Sequence, residues 1–277
     1  MFISVNSKIS DADGSAIPAD DRSYRYGDGL FETMKCVEGE IQLAHLHMER
    51  LFSGIEKMAI EWPVLLTKDK LLSEIKEVCR KNHCSSYSRI RLSVSAGQGG
   101  LFDPGRKARY CIEAWPLSLE MGHLNSNGLS IGIYADGKKS NDNWANLKSS
   151  SFLIYSMAAV YARSQQWNDA LILNTEGFIA DSCIANLFIV KNKLLLTPPL
   201  KDGCIDGVMR KLLLQQFLVW GYPIEERSIH PSDLEEADEL FLTNAIRGIR
   251  WVKQLGTKQY GQELTSEIYR HLQTIWK

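Results

Sequence analysis

The chain reads as an α+β protein of two domains, and three observations predict it. Strand-like and helix-like stretches interleave without the strict strand–helix–strand rhythm of a doubly wound sheet. A run rich in Pro, Gly, Asn and Ser, PLSLEMGHLNSNG at 116–128, breaks the pattern as a linker does. The 277 residues exceed what one minimal core needs and suffice for two modest domains or one large one. The expected division is a domain at 1–115, a linker at 116–128 and a domain at 129–277.

In the first domain, residues 2–5, 29–37 and 40–43 suit strands, with Glu38-Gly39 as the tight turn between the last two. Residues 47–58 carry Met48, Leu51, Ile55 and Met58 at helical spacing, and 68–79 repeat that period. SRIRLSVSA at 88–96 alternates, placing Ile90, Leu92 and Val94 on one face and Arg89, Arg91 and Ser93 on the other. Beyond the linker, 129–134, 170–173, 178–180, 187–190, 194–197 and 239–243 read as strands, and 152–165 and 208–220 as helices. Neither an internal repeat nor a low-complexity segment is visible.

Composition narrows the function classes. Hydrophobic residues at 44% and charged residues at 23% are ordinary for a globular protein, and the formal net charge is -1. No global field recruits nucleic acid or an anionic membrane, so any anion site must be local. The sequence contains no apolar run long enough to span a bilayer, and MFISVNSKISDADG lacks the pattern of a signal peptide. Six cysteines (Cys36, Cys79, Cys84, Cys111, Cys183 and Cys204) show no Cys-x-x-Cys spacing with partner histidines. No metal site is expected, and free thiols suit a cytoplasmic location.

Five stretches carry polar groups where a plain core would not. YGDGLFET at 26–33 is a Gly-Asp-Gly turn feeding a strand, as many hairpin loops are. In HMERL at 47–51, Arg50 is either a surface charge or an anion ligand. NLKSSS at 146–151 places Lys148 before an apolar helix; its serines suit N-capping, while a desolvated lysine suits Schiff-base and proton-transfer work. CIDGVMR at 204–210 opens another helix, with Asp206 as a plausible N-cap and the N–H groups of Val208 and Met209 able to cradle a phosphate. GFIADSCIANLFIV at 177–190 puts Asp181 and Asn186 in the middle of two apolar strands.

In this order, and together with LLLTPP and ADELFLTNAIRGI, these stretches resemble the fold-type IV pyridoxal-phosphate enzymes over nearly the whole chain. That family includes branched-chain and D-amino-acid aminotransferases and 4-amino-4-deoxychorismate lyase. The resemblance implies the two-domain D-amino-acid aminotransferase-like fold, with pyridoxal 5'-phosphate in the cleft between domains, and a homodimer. By the same resemblance Lys148 carries the cofactor and shuttles the proton, while Arg50 and the helix start at Gly207, Val208 and Met209 bind its phosphate. Asp181 matches the family's glutamate beside the pyridine nitrogen, one methylene shorter, and Asn186 braces that turn. Ala245 stands where aminotransferases present a phosphate-binding hydroxyl, leaving Thr243 or Asn244 to replace it. Tyr26, Arg89 and Arg91 are the implied substrate contacts, although a solvated polar face equally explains the arginines.

CIANLFIV, CIDGVMR, TNAIRGI and the Gly-rich SAGQGG resemble the lyase versions of these motifs more than the aminotransferase ones. The expected activity is therefore cleavage of 4-amino-4-deoxychorismate to 4-aminobenzoate and pyruvate, a step of folate biosynthesis acting on a small molecule. Two alternatives stand beside it. One is an aminotransferase for branched-chain or D-amino acids; the other is a cofactor-binding homologue with little turnover, motivated by the short Asp181.

Overall fold

The computed structural model describes residues 1–14 and 17–275, which fall into two compact units. The first comprises Met1–Met121 and Leu147–Phe152; the second comprises Gly122–Asn146 and the chain from Leu153 onward. The boundary lies inside the expected linker, but one short piece of the later chain, with Lys148 in it, groups with the first unit.

The first unit contains β1 (Phe2–Val5), β2 (Lys8–Asp11), α1 (Arg22–Tyr26), β3 (Gly29–Val37), β4 (Glu40–Ile41), α2 (Ala44–Lys57), α3 (Lys68–Lys81), β5 (Tyr87–Ser95) and β6 (Arg109–Pro116). The strands form one antiparallel sheet in the order β2-β1-β6-β5-β3-β4. As the alternation predicts, Ile90, Leu92 and Val94 are buried. They join Met34, Ile112 and Ala114 against Leu51 and Ile55 of α2 and Leu71 and Ile75 of α3. β4 stops earlier than expected because Leu43 turns to φ 55 and α2 begins at Ala44. β6 lies outside the expected elements, although RYCIEAWP alternates Tyr110, Ile112 and Ala114 inward by the same period-2 rule.

The second unit contains β7 (Leu129–Lys139), α4 (Leu153–Ser164), β8 (Asp169–Asn174), β9 (Ile179–Ser182), β10 (Asn186–Lys191), β11 (Leu194–Thr197), α5 (Val208–Trp220), β12 (Ile224–Glu226), α6 (Pro231–Glu236), β13 (Glu239–Asn244), β14 (Gly248–Leu255), β15 (Lys258–Gln259) and α7 (Glu263–Ile275). Its sheet runs β12-β11-β10-β13-β14-β7-β8-β9, with β15 added to β14. The sheet is mixed: β7 pairs parallel with both β8 and β14, and β10 pairs antiparallel with β11 and β13. This arrangement agrees with the α+β expectation.

Two irregularities matter for the polar residues. β7 pairs Tyr134 with Ile172 and next Lys138 with Leu173, so residues 135–137 bulge out of the ladder. β9 pairs Asp181 with Ile172 and next Ile179 with Leu173, so Ala180 is extra. Both bulges fall on strands flanking β8, and together they put Lys139 and Asp181 inside. Among the described residues, no helix is long and apolar enough to cross a membrane.

Candidate functional site

Lys148 is held in place by backbone before any side chain acts. The Phe31 N–H donates to the Lys148 carbonyl at 3.0 Å, and the Ser150 N–H donates to the Gly29 carbonyl at 2.8 Å. The segment thus runs antiparallel along the start of β3, bridging Leu30 to Ser149. Gly27, which caps α1 at φ 68, permits this approach, since a Cβ there would lie 3.1 Å from the Ser151 Cα. Lys148 Nζ sits 4.3 Å from the centroid of the Phe31 ring, and Phe152 meets that ring edge-on at 5.3 Å.

Arg91 shares the same ring, with its guanidinium carbon 4.0 Å from the Phe31 centroid and its Nε donating to Ser93 Oγ at 3.1 Å. Arg91 is half-buried and Arg89 exposed. The register explains the difference: Thr33 pairs with Arg91, whereas Arg89 pairs with Lys35, farther from Phe31. Of the three expected substrate contacts, Arg91 lies against the same Phe31 ring as Lys148, Tyr26 ends α1 next to Gly27, and Arg89 pairs with Lys35 and does not reach that ring.

Glu32, the strand neighbour of Phe31, faces α2 and is completely enclosed. Arg50 grips it in a fork, Nε to Oε1 at 2.7 Å and Nη2 to Oε2 at 2.5 Å. His47 Nδ1 lies 2.7 Å from Oε2. Burial pushes the Glu32 carboxyl up, but Arg50 and His47 outweigh it and hold the group at about 2. Burial lowers the His47 imidazole; Glu32 opposes that, while Arg50 and Lys148 add to it. An ionised Glu32 requires the proton on His47 Nδ1, leaving Nε2 as an acceptor, and that atom is buried without a hydrogen-bond partner. Glu32 and His47 are not among the residues expected at the site; a charged residue inside a strand pattern and a histidine one helical turn before Arg50 were the available signals.

In the second unit Asp181 is 2% exposed and receives four donors. Its Oδ2 accepts from Tyr155 Oη at 2.8 Å, Lys139 Nζ at 3.0 Å and the Ile205 N–H at 2.9 Å. Its Oδ1 accepts from Asn186 Nδ2 at 2.9 Å. Asn186 therefore does more than brace the turn: it holds Asp181 directly and bonds the Ile205 carbonyl at 2.9 Å. Burial, then Asp181, raises the Tyr155 phenol well above its ordinary range, so Tyr155 keeps its proton and donates. Lys139 lies 5.1 Å from the centroid of the Tyr155 ring.

α5 opens at Gly207, not at the expected cap Asp206, and no side chain caps it. Asp206 is held instead through its N–H, bonded to the Asn146 carbonyl at 3.1 Å. A Cβ on Gly207 would run into Asn186 Oδ1, so glycine is the residue this approach requires. The first N–H groups of an α-helix have no intrahelical acceptor, and at this end they include those of Val208 and Met209. After β13 the Asn244 Oδ1 accepts the N–H groups of Ile246 and Arg247 at 3.0 and 2.8 Å, which commits that oxygen to its own turn. Thr243, paired across the sheet with Asn186, keeps a buried hydroxyl without a partner. Lys139 and Tyr155 escaped the sequence reading for different reasons: the inward turn of Lys139 depends on a bulge, and Tyr155 has the character of a core aromatic on an apolar helix.

Comparison with known proteins gives four findings. The model for Amino-transferase class IV matches residues 29–255. A Methanocaldococcus jannaschii protein provisionally named a branched-chain-amino-acid aminotransferase is 27% identical over 283 residues, covering 100% of this chain and 96% of its own. The aminodeoxychorismate lyase of Bacillus subtilis is 26% identical over 284 residues, covering 100% and 94%. Among solved structures, the branched-chain aminotransferase from Thermoproteus uzoniensis with norvaline superposes with a TM-score of 0.89 at 25% identity, covering 99% of this chain and 94% of that one.

Proposed function

The chain belongs to the class IV aminotransferase family of pyridoxal-phosphate enzymes, and from that premise we propose that it is the lyase of the family. It would convert 4-amino-4-deoxychorismate to 4-aminobenzoate and pyruvate. The observation that favours the lyase is the turn after β13. Ala245 offers no hydroxyl, and the turn is built by the Asn244 carboxamide, in the lyase-like TNAIRGI.

The residues fit the cofactor on features of this chain. An uncapped helix start, with the Val208 and Met209 N–H groups lacking intrahelical acceptors, suits a phosphate. Buried acceptor and hydroxyl atoms at His47 and Thr243 are left without partners. A cationic fork, Arg50, is pre-oriented on Glu32. When bound, pyridoxal phosphate supplies an electron sink for the charge left as the substrate's amine-bearing carbon loses its proton.

The chain's own groups then divide the work. By the family resemblance, Arg50 of the first unit and, in the second, the Val208 and Met209 N–H groups with the Thr243 hydroxyl are the groups that would hold the phosphate, Asn244 shaping the turn after β13. Asp181 would accept the proton-bearing ring nitrogen of the bound cofactor. Lys148 Nζ takes the proton from the amine-bearing carbon. Arg91 and Tyr26 would meet a substrate carboxylate, with Arg91 and Lys148 both set against the Phe31 ring.

The second reading is a branched-chain or D-amino-acid aminotransferase, favoured by the full-length similarity to the Methanocaldococcus jannaschii protein. Purified enzyme supplied with pyridoxal 5'-phosphate and 4-amino-4-deoxychorismate decides between them. Release of 4-aminobenzoate and pyruvate supports the lyase. Release of a keto acid from an L- or D-amino acid, with no aminobenzoate from the first substrate, overturns it.

A homodimer is part of the proposal. Leu153, Met157 and Val160 form an apolar stripe along α4, 72%, 45% and 59% exposed, which a second copy would cover. Sedimentation at the mass of one chain would refute it. Six unpaired cysteines support a cytoplasmic location.

A further inference from the structure

We propose that Lys139 and Tyr155 are positioning residues, which occupy Asp181 Oδ2 so that Oδ1 alone is left to receive the cofactor's ring nitrogen. The proposal rests on the reading that Asp181 faces that nitrogen and explains how the shorter acid does so.

The argument is one of acceptor capacity. A carboxylate oxygen presents two lone-pair directions. Oδ2 already serves three donors, Lys139 Nζ, Tyr155 Oη and the Ile205 N–H. Oδ1 serves one, Asn186 Nδ2. With three donors on Oδ2 and one on Oδ1, a further donor must come to Oδ1. Aspartate also has one rotor fewer than glutamate, so four donors fix it in a single orientation.

A structural role alone explains the cluster poorly. A buried ion pair is a weak device for stability, since desolvating both charges cancels much of the attraction. Lys139 and Tyr155 both act on one oxygen and also pack on each other, the ammonium 5.1 Å from the ring centroid. The opposite side of Asp181 belongs to Asn186, whose Nδ2 also bonds the Ile205 carbonyl and whose Oδ1 rests on Gly207. The supports therefore load one oxygen, while the other adjoins Asn186, the residue that packs on the open start of α5.

The test compares two probes on the full chain stripped of cofactor. Pyridoxal 5'-phosphate and its 1-deaza analogue, with C–H in place of the ring nitrogen, are titrated against tryptophan fluorescence. The readout is the ratio of the two dissociation constants. Phosphate contacts are common to both probes, so general damage to the site leaves the ratio unmoved. Wild type is expected to favour the natural cofactor by about tenfold or more, one charge-assisted hydrogen bond. Asp181→Asn should bring the ratio near one. Lys139→Met and Tyr155→Phe should each lower it at least threefold, and Lys139→Arg should restore part of it. Tyr155→Phe removes a single oxygen and keeps the test open if Lys139→Met does not fold. A ratio unchanged in both support variants, with Asp181→Asn collapsed, overturns this proposal and leaves the Asp181 reading standing. No preference in wild type overturns both.

Discussion

Two buried carboxylates anchor the two units, and they are used in opposite senses. In the first unit Glu32 is the support and its cation, Arg50, is the residue assigned to the ligand. In the second unit Lys139 is the support and its anion, Asp181, is the residue assigned to the ligand. Each pair has a neutral third member, His47 on Glu32 and Tyr155 on Asp181. The contrast teaches that a buried ion pair at such a site is a holder and a tool, and that the tool is the partner committed to its holder on one side. For Arg50 that asymmetry comes from a guanidinium that turns only one edge to Glu32. For Asp181 it comes from unequal loading of its two oxygens.

The sharpest way to break the comparison is to disable one tool without disturbing its holder. Asp181→Asn keeps the shape and loses the charge. Its turnover should fall on the order of 10²–10³-fold while the far-ultraviolet spectrum is unchanged. Undiminished turnover would remove Asp181 from the chemistry.

Removing the opposite holder comes next. Glu32→Gln leaves a buried guanidinium without its anion and should destabilise folding by about 3 kcal/mol in urea titration. It should also cut the preference for pyridoxal 5'-phosphate over pyridoxal about tenfold, because Arg50 loses its fixed edge. A retained preference would show that Arg50 needs no holder.

The same acid predicts a pH signature. Glu32 is held at about 2 against an ordinary 4.5, so its folded value lies below its unfolded one. Its contribution, on the order of 3 kcal/mol, is complete above about pH 4.5 and is lost as the pH falls toward 2. Acid titration of stability should show that loss in wild type and a shallower one in Glu32→Gln. Identical acid profiles would contradict the assignment.

Smaller effects test the surroundings. Gly207→Ala should displace Asn186 and cost about 1–3 kcal/mol, with weaker cofactor binding. Arg89→Ala should change stability and KM little, within about 0.5 kcal/mol. Arg91→Ala should raise KM, since it alone of the two meets Phe31. Equal effects on KM would erase the distinction drawn from the register.

Much of the frame was legible from pattern alone. β1, β3, β11 and α5 end where their apolar periods and turn residues predict, because burial of one face dictates their register. Arg50, Lys148, Asp181 and the α5 start were legible as chemistry-bearing types in apolar surroundings, and the resemblance gave them roles. What escaped depended on three-dimensional partners. Nothing in ADGKKS marks Lys139 rather than Lys138 as the inward lysine, since a bulge breaks the period on which such a reading relies. Tyr155 sits at a core position of α4, and only the proximity of Asp181 turns its hydroxyl into a donor. The cap at Asp206 failed because the backbone reaches Gly207 before helical geometry begins, where Asn186 leaves no room for a side chain.

The bulge in β7 also gives this part of the sheet a tolerance to error. Past residue 137 the strand offers two lysines in succession, Lys138 turned out and Lys139 turned in opposite Asn174. A one-residue slip elsewhere in the sheet would exchange an apolar face for a polar one. Here a slip in one direction would exchange one ammonium for another, Lys138 for Lys139. A variant that gains a residue at 135–137 would thus re-pair its strand and still present a lysine, Lys138, to Asp181, whereas loss of one would bring Ser140 to that place, so an insertion is less harmful here than a deletion.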